Sequence, residues 1–274
     1  METHRLAPLD DDHLFEPDGH RWVPSKITAG PWAADALHGG PPTALVGRLM
    51  QAHDAGDSQW FLARLTTELI RPVPLAPLAV RLDVVRPGRR VQVIDAVVVD
   101  PDGTEVMWAR GVRLVEQPNG VDESTIVVPE VTAWPAPMTC PSWTLSIGLP
   151  WQTFGDAFEF RLVAGRPFTE HGPASAWMRL RLPLFAGEDV HPLDRVLCAS
   201  DFPNGIANVV PFERFVYVNP DLTVSLHRLP ADDWILLDAA THVRRLGNGV
   251  ARADLHDAEG ALGTAIQSLL VTAR

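Results

Sequence analysis

The chain has 274 residues, 46% hydrophobic and 21% charged, which fits a globular protein of one large domain or two of ordinary size. A formal net charge of −11 argues against a nucleic-acid binder, which needs a basic stripe to neutralise phosphates, and against an anionic membrane surface as partner. A small anionic ligand held by a local arginine cluster stays open.

Lys26 is the only lysine, so 22 of the 23 basic residues are arginine (23 less one), and no spare lysine exists for Schiff-base chemistry. Cys140 and Cys198 lack metal or redox spacing and suit a reducing compartment. The acidic, broken N-terminus carries no apolar leader, and no apolar run reaches the ~18 residues of a membrane span. A cytoplasmic chain without a membrane span is expected.

In chain order, residues 12–33 read as short strands and turns around 20–27, with Trp22 and Trp32 as core. Residues 37–53, LHGGPPTALVGRLMQAH, read as a buried helix. His38-Gly39-Gly40 gives a permissive entry, and Pro41 and Pro42 suit the first turn, where a missing N–H costs nothing. Leu45, Val46, Leu49 and Met50 recur at helical spacing, and Gly47 admits a close neighbour. Strands follow at 60–72, 78–85, 90–99 and 105–115, the first by its alternation of apolar and polar residues. Arg86-Pro87-Gly88 and Asp100-Pro101-Asp102-Gly103 supply hairpin chemistry between them.

Residues 116–150 change character. Pro118, Pro129, Pro135, Pro137, Pro141 and Pro150 break any regular element, so this stretch reads as an extended linker over a sheet edge or over a site. Strands at 158–164 and 176–182 come next. The stretch 189–208, DVHPLDRVLCASDFPNGIAN, reads as a helix with Pro192 in its first turn and Asp194 complementing its dipole. Leu193, Val196 and Leu197 form its buried face, and an acid, Asp201, stands where the helix runs out. Strands return at 215–226, 234–243, 251–256 and 262–273.

The order helix, then four strands, occurs twice. An offset of 153 carries His38 to His191 and Glu68 to Asp221. An offset of 157 carries Asp100-Pro101-Asp102-Gly103 onto Asp257-Ala258-Glu259-Gly260. Duplication has a physical motive: one helix with one antiparallel sheet leaves an unpaired edge, which two fused copies satisfy edge to edge. The expected fold class is α+β, a double hotdog in which two tandem helix-wrapped antiparallel sheets join into one continuous sheet. The expected domains are an N-terminal hotdog at 1–115, serving as scaffold and binding half, the linker at 116–150, and a catalytic hotdog at 151–274.

The stretches LHGGPPTALVGRLM, HPLDRVLCASDFPN, VNPDLTVSLHRLPADDWILLDAATHV and DAEGALGTAIQSLLV together resemble the acyl-CoA thioesterase II family, in its thioesterase-like actinobacterial branch. The resemblance covers nearly the whole chain and is weakest in the linker. It implies hydrolysis of fatty acyl-CoA to free acid and CoA, with no cofactor, metal or prosthetic group. It also implies a catalytic trio of a helix Asp, a hydroxyl-type residue early in the long strand, and a Gln in the last strand. Asp201, within SDFPN, and Gln267, within IQSLL, match two of these. The strand position falls on Asn219, a departure that leaves open whether Asn219 or Asp221 supplies the polar group.

A thioester carbonyl needs an activated water or a transient acyl-enzyme, and a donor for its developing oxyanion. Asp201 is the candidate base or nucleophile. A carboxylate with an ordinary pKa of ~4 is a poor base unless a partly apolar tunnel raises it. Asn219 and Gln267 would aim a water, and amide donors would meet the oxyanion. Direct activation of water by Asp201 is favoured over covalent attack. His38, Gly39 and Gly40 are the substrate-binding candidates, with His38 lining the tunnel, bonding a substrate carbonyl, or simply capping its helix.

The two offsets map Asp201 to Arg48, Asn219 to Thr66 and Gln267 to Arg110, so the first half lacks acid and amide together and one competent site per chain is expected. Cys198 reads as inert core and Asp10–His13 as a solvated tail, while His191 and His242 have no ligand-spaced partner, so no metal is expected. Arg86, Arg89, Arg90, Arg244 and Arg245 read as solvated hairpin tips. Two competing readings remain. A hotdog hydratase or dehydratase usually carries a His a few residues beyond its Asp, which this sequence lacks. The Asn219 departure also fits an acyl-CoA or acyl-carrier binding protein without turnover. A homo-oligomer is left open.

Overall fold

Two hairpins, two main helices and two four-stranded runs form the frame of the described residues, in an order dictated by where proline and glycine fall. A computed structural model describes residues 6–274 except 55, 57, 58, 118, 119, 128–131, 146, 147 and 168. The linker prolines Pro118 and Pro129 lie outside the described residues. Strands β1 (Phe15–Asp18) and β2 (Arg21–Pro24) form a hairpin. Helix α1 (Gly40–Ala52) follows, with Pro41 and Pro42 in its first turn and Leu45, Val46 and Met50 fully buried. Strands β3 (Trp60–Leu69), β4 (Leu78–Arg86), β5 (Val91–Val99) and β6 (Glu105–Val115) then wrap it.

The second half repeats the plan. After the short β7 (Ser142–Trp143) come β8 (Phe158–Ala164), β9 (Ala174–Leu180), α2 (Pro192–Ala199) and the single turn α3 (Pro203–Ile206). Strands β10 (Phe215–Val218), β11 (Asp221–Leu226), β12 (Trp234–Val243), β13 (Asn248–Asp257) and β14 (Gly260–Ala273) complete it. All the strands join one antiparallel sheet in the order β1-β2-β4-β5-β6-β3-β11-β14-β13-β12-β9-β8-β7, with β10 beside β14. Leaving aside β7 and β10, the order on one side of the β3–β11 seam mirrors that on the other. The sheet is therefore a continuous double hotdog, as the repeat implied. The repeated unit is larger than the sequence suggested: a hairpin, a helix and four strands, rather than a helix and four strands.

Local chemistry repeats as well. Asp100 Oδ1 accepts from the amides of Asp102 and Thr104 at 2.9 and 2.8 Å, and Asp257 Oδ1 accepts from those of Glu259 and Gly260 at 2.9 and 3.1 Å. Both are Asx turns that fix a hairpin. At the seam, Thr66 pairs with Thr223, their hydroxyls 3.1 Å apart.

The two helices lie antiparallel inside the curved sheet. A side chain at Gly40 would come within 2.8 Å of the Cys198 carbonyl, and one at Gly47 would strike Leu197, so these glycines let α1 and α2 touch along their backbones. The N-terminus of α1 thus meets the C-terminus of α2, and the reverse holds at the other end.

Four expectations change. The linker, where no regular element was expected, holds a short strand, β7, paired with the edge of β8. The strand expected at 215–226 is broken into β10 and β11 at Asn219-Pro220, since proline offers no N–H to the ladder. Trp32 is 38% exposed rather than core. Asp11 is not simply solvated, since its Oδ2 accepts from the Ile27 amide at 2.8 Å. No helix among the described residues is long and apolar enough to cross a membrane.

Candidate active site

Asp201 sits in the turn just past α2, between its last residue and α3, and is 4% exposed. That turn delivers its carboxylate to the N-terminus of α1, because the helices are antiparallel. A Cβ on Gly39 would lie 2.6 Å from Asp201 Oδ2, so only glycine fits there without displacing the acid.

Three side chains converge on this carboxylate. Asn219 Nδ2 and Gln267 Nε2 both donate to Oδ1, at 2.8 and 2.6 Å. His38 Nδ1 lies 2.8 Å from Oδ2 and also 3.2 Å from the Gly40 amide nitrogen. A single ring nitrogen cannot fill both roles at once. With its lone pair exposed it accepts from Gly40; with a proton it donates to Asp201. The His38 ring is held in place by stacking on Phe202, with centroids 4.7 Å apart and an angle of 22°.

The break at Pro220 explains why Asn219 points inward. Val218 pairs with Leu270 and Thr223 with Ile266, so five steps on one strand face four on the other. The extra residue makes a bulge, which re-aims side chains at the rim of a sheet. Asn219 turns to Asp201, while Asp221 turns to β14, accepting from Ser268 N at 2.6 Å and Ser268 Oγ at 2.9 Å. The polar group facing the acid is therefore Asn219, with Asp221 clamping the bulge beside it. Gln267, the neighbour of Ser268, is fully buried, and its Oε1 has no hydrogen-bond partner among the described residues.

The other end of the helix pair has the same plan with different chemistry. His191 caps α2 by accepting from Leu193 N at 3.1 Å, and His38 Nδ1 stands in the matching place 3.2 Å from Gly40 N at the head of α1. Arg48 occupies the place opposite it and bonds Asp194 at 2.5 Å and Glu188 at 2.9 Å. Asp194 is fully buried, and burial pushes its carboxyl up to about 7 against the opposing pull of Arg48. Arg110, onto which the offset maps Gln267, does not stand in its place: it lies on the exposed face of β6, paired with Asp95 at 2.6 Å, and its inward neighbours are Ala109 and Gly111. Burial likewise pushes the Cys198 thiol up, with Asp194 and Asp201 adding to it. No group of three or more His, Cys, Asp or Glu among the described residues is placed to hold a metal ion.

A cavity of about 410 Å³ opens beside Asp201 and Asn219. Its walls are mostly apolar, with Leu69, Trp143, Leu145, Phe160, Phe202 and Ile206 among them, and Trp32 and Arg71 also line it. This is the size and character of a small-molecule site. Trp143 and Leu145 come from the linker, so that segment borders the site as well as the sheet edge.

Two family models match the chain: residues 28–114 the acyl-CoA thioesterase N-terminal domain and residues 129–271 the acyl-CoA thioesterase C-terminal domain. The chain belongs to the acyl-CoA thioesterase family. No curated protein matches it. Among solved structures, this family member is similar to a thioesterase II candidate of Thermobifida fusca, at 17% identity over 95% of this chain and 97% of that one, with a TM-score of 0.73. A protein of unknown function with a hot dog fold from Alicyclobacillus acidocaldarius gives 19% identity, 97% coverage of both chains and a TM-score of 0.70. The tesB protein of Mycobacterium avium subspecies paratuberculosis gives 16% identity, 94% and 95% coverage and a TM-score of 0.65. At these identities the likeness shows the fold.

All of the residues singled out from the sequence for this site, namely His38, Gly39, Gly40, Asp201, Asn219 and Gln267, lie together. Their division of labour differs from expectation in two ways. Asn219 and Gln267 direct their amide nitrogens at the acid, and His38, a substrate-binding candidate from the first half, lies against the acid itself. Sequence reading missed the tie between Arg48 and Asp194. Arg48 stood out only as the counterpart of Asp201, and nothing local in the sequence joins it to residue 194.

Proposed function

We propose that this chain hydrolyses acyl-CoA thioesters to the free acid and CoA, and that Asp201 activates the water. The observation that carries this reading is a nearly buried carboxylate, fixed by two amides and a histidine, at the wall of an apolar cavity. Oδ1 takes both amides, and Oδ2, faced by His38 alone among these three side chains, keeps a lone pair for a water. That water donates to Asp201 Oδ2, and its oxygen attacks the thioester carbonyl. Its proton passes to the Asp201–His38 pair. The tetrahedral intermediate then collapses, the C–S bond breaks, and the thiolate leaves as thiol with that proton. The Gly39 amide, at the head of α1, supports the developing oxyanion together with the helix dipole.

Thiol release from a panel of acyl-CoAs tests the reading. Turnover of at least one member supports it, and tight binding of the panel without turnover would make the chain an acyl-CoA or acyl-carrier binding protein.

One observation favours a second reading. The sequence disfavours a hydratase or dehydratase because no histidine follows Asp201 within a few residues, yet His38 stands 2.8 Å from it in space. Hydration of a 2-enoyl-CoA without hydrolysis of the saturated analogue would favour that reading.

A further inference from the structure

We infer that Gly205 sets the width of the acyl cavity and so selects among acyl groups by size. This rests on the thioesterase reading above.

Glycine is required where φ is positive or where a neighbour leaves no room for a Cβ. Neither holds at Gly205. Its φ is not positive, it lies in α3, and its amide donates to Phe202 O at 2.9 Å. A Cβ built there would meet no heavy atom within 4 Å. The other glycines with equally open surroundings, Gly19, Gly56, Gly103, Gly148, Gly172 and Gly187, all have positive φ. Gly205 is thus the one described glycine that neither backbone nor packing explains, and in a helical turn it is less stable than alanine.

What lies beside it is the cavity, which Gly205 lines with Phe202 and Ile206. The missing side chain leaves that space open. Trp143, Leu145 and Phe160 also wall the cavity, and they present apolar surface to whatever fills it. An acetyl group would leave most of this apolar surface without contacts. A longer chain or a ring would cover it and gain the burial.

The test compares kcat/KM on acetyl-CoA, octanoyl-CoA and phenylacetyl-CoA. Wild type is expected to favour one or both larger substrates. Gly205→Leu should lose roughly 10-fold or more on them, the scale of a filled apolar pocket, while acetyl-CoA changes by less than about 2-fold. Gly205→Ala should move the same ratio less and raise Tm by roughly 1–4 °C, which decides the matter if the leucine variant does not fold. Equal loss on all three substrates, or no change in the ratio, overturns the inference while leaving the thioesterase reading intact. A wild type inert on every acyl-CoA removes that reading and this inference with it.

Discussion

His38 Nδ1 and Asp201 Oδ2 lie 2.8 Å apart, although one heads the helix of the first half and the other closes the helix of the second. The contact exists because α1 and α2 run antiparallel with glycines between them. It makes the site a joint product of both copies. If the proton of the attacking water passes through this pair, His38→Gln should lower kcat by about 10²–10⁴-fold with a small change in KM. An unchanged kcat would leave His38 only as an acceptor for the Gly40 amide at the head of α1.

Gly39→Ala addresses the same contact sterically. The added methyl would sit 2.6 Å from Asp201 Oδ2, so the carboxylate must shift. A displacement of that order costs roughly 10²-fold in rate. Steady-state kinetics should show the loss in kcat, with far-UV circular dichroism unchanged.

These residues also mark how much the sequence disclosed. The α1 helix was legible from Pro41-Pro42 and the spacing of Leu45, Val46, Leu49 and Met50, since those signals are local. The strand at Trp60–Leu69 was legible from its alternation, and the one at Glu105–Val115 was bounded by the Asp100-Pro101-Asp102-Gly103 turn ahead of it. The double hotdog followed from the repeat. What escaped was set by tertiary partners. The bulge at Asn219-Pro220 depends on how β14 pairs, so alternation alone suggested one strand. The amides of Asn219 and Gln267 meet the acid rather than standing free to hold a water, which only the packed geometry reveals. Trp32 reads as core by composition, but it lines the cavity and packs on Phe212, with ring centroids 5.2 Å apart.

Asp221 clamps the bulge through Ser268, next to Gln267. Asp221→Ala should free both Asn219 and Gln267 to drift, lowering kcat by about 10–100-fold while KM for the acyl-CoA stays near wild type. Asp221→Asn, which keeps an acceptor for Ser268, should recover part of the loss. Equal activity in all three proteins would show that the bulge needs no clamp.

Arg48 occupies the place of Asp201 in the first half and neutralises buried Asp194. Arg48→Ala should cost roughly 3–5 kcal/mol of stability, because it strands a buried carboxyl, while turnover stays close to wild type. A large fall in kcat would contradict a single competent site per chain.

Asp194 also gives a pH signature. Its carboxyl rises from 3.8 to about 7 on folding, so between those values the folded chain holds a proton that the unfolded chain has released. Stability from this group falls as pH rises through that window. His191 and His256, both lowered chiefly by burial, tilt the wild-type curve the other way below their ordinary value. Comparison with Asp194→Asn removes them to first order. The Tm of wild type minus that of Asp194→Asn should therefore decline from pH 4 to pH 7 and level off above. A difference that is flat across this range would mean that Asp194 does not titrate there.

The central claim is that Asp201 activates the water, and the kcat of Asp201→Asn on an acyl-CoA that wild type turns over tests it most directly. Asparagine keeps the size of the side chain but cannot take the proton. The account predicts a fall of about 10²–10⁴-fold with the protein still folded. A folded Asp201→Asn variant within about 2-fold of the wild-type kcat would contradict it.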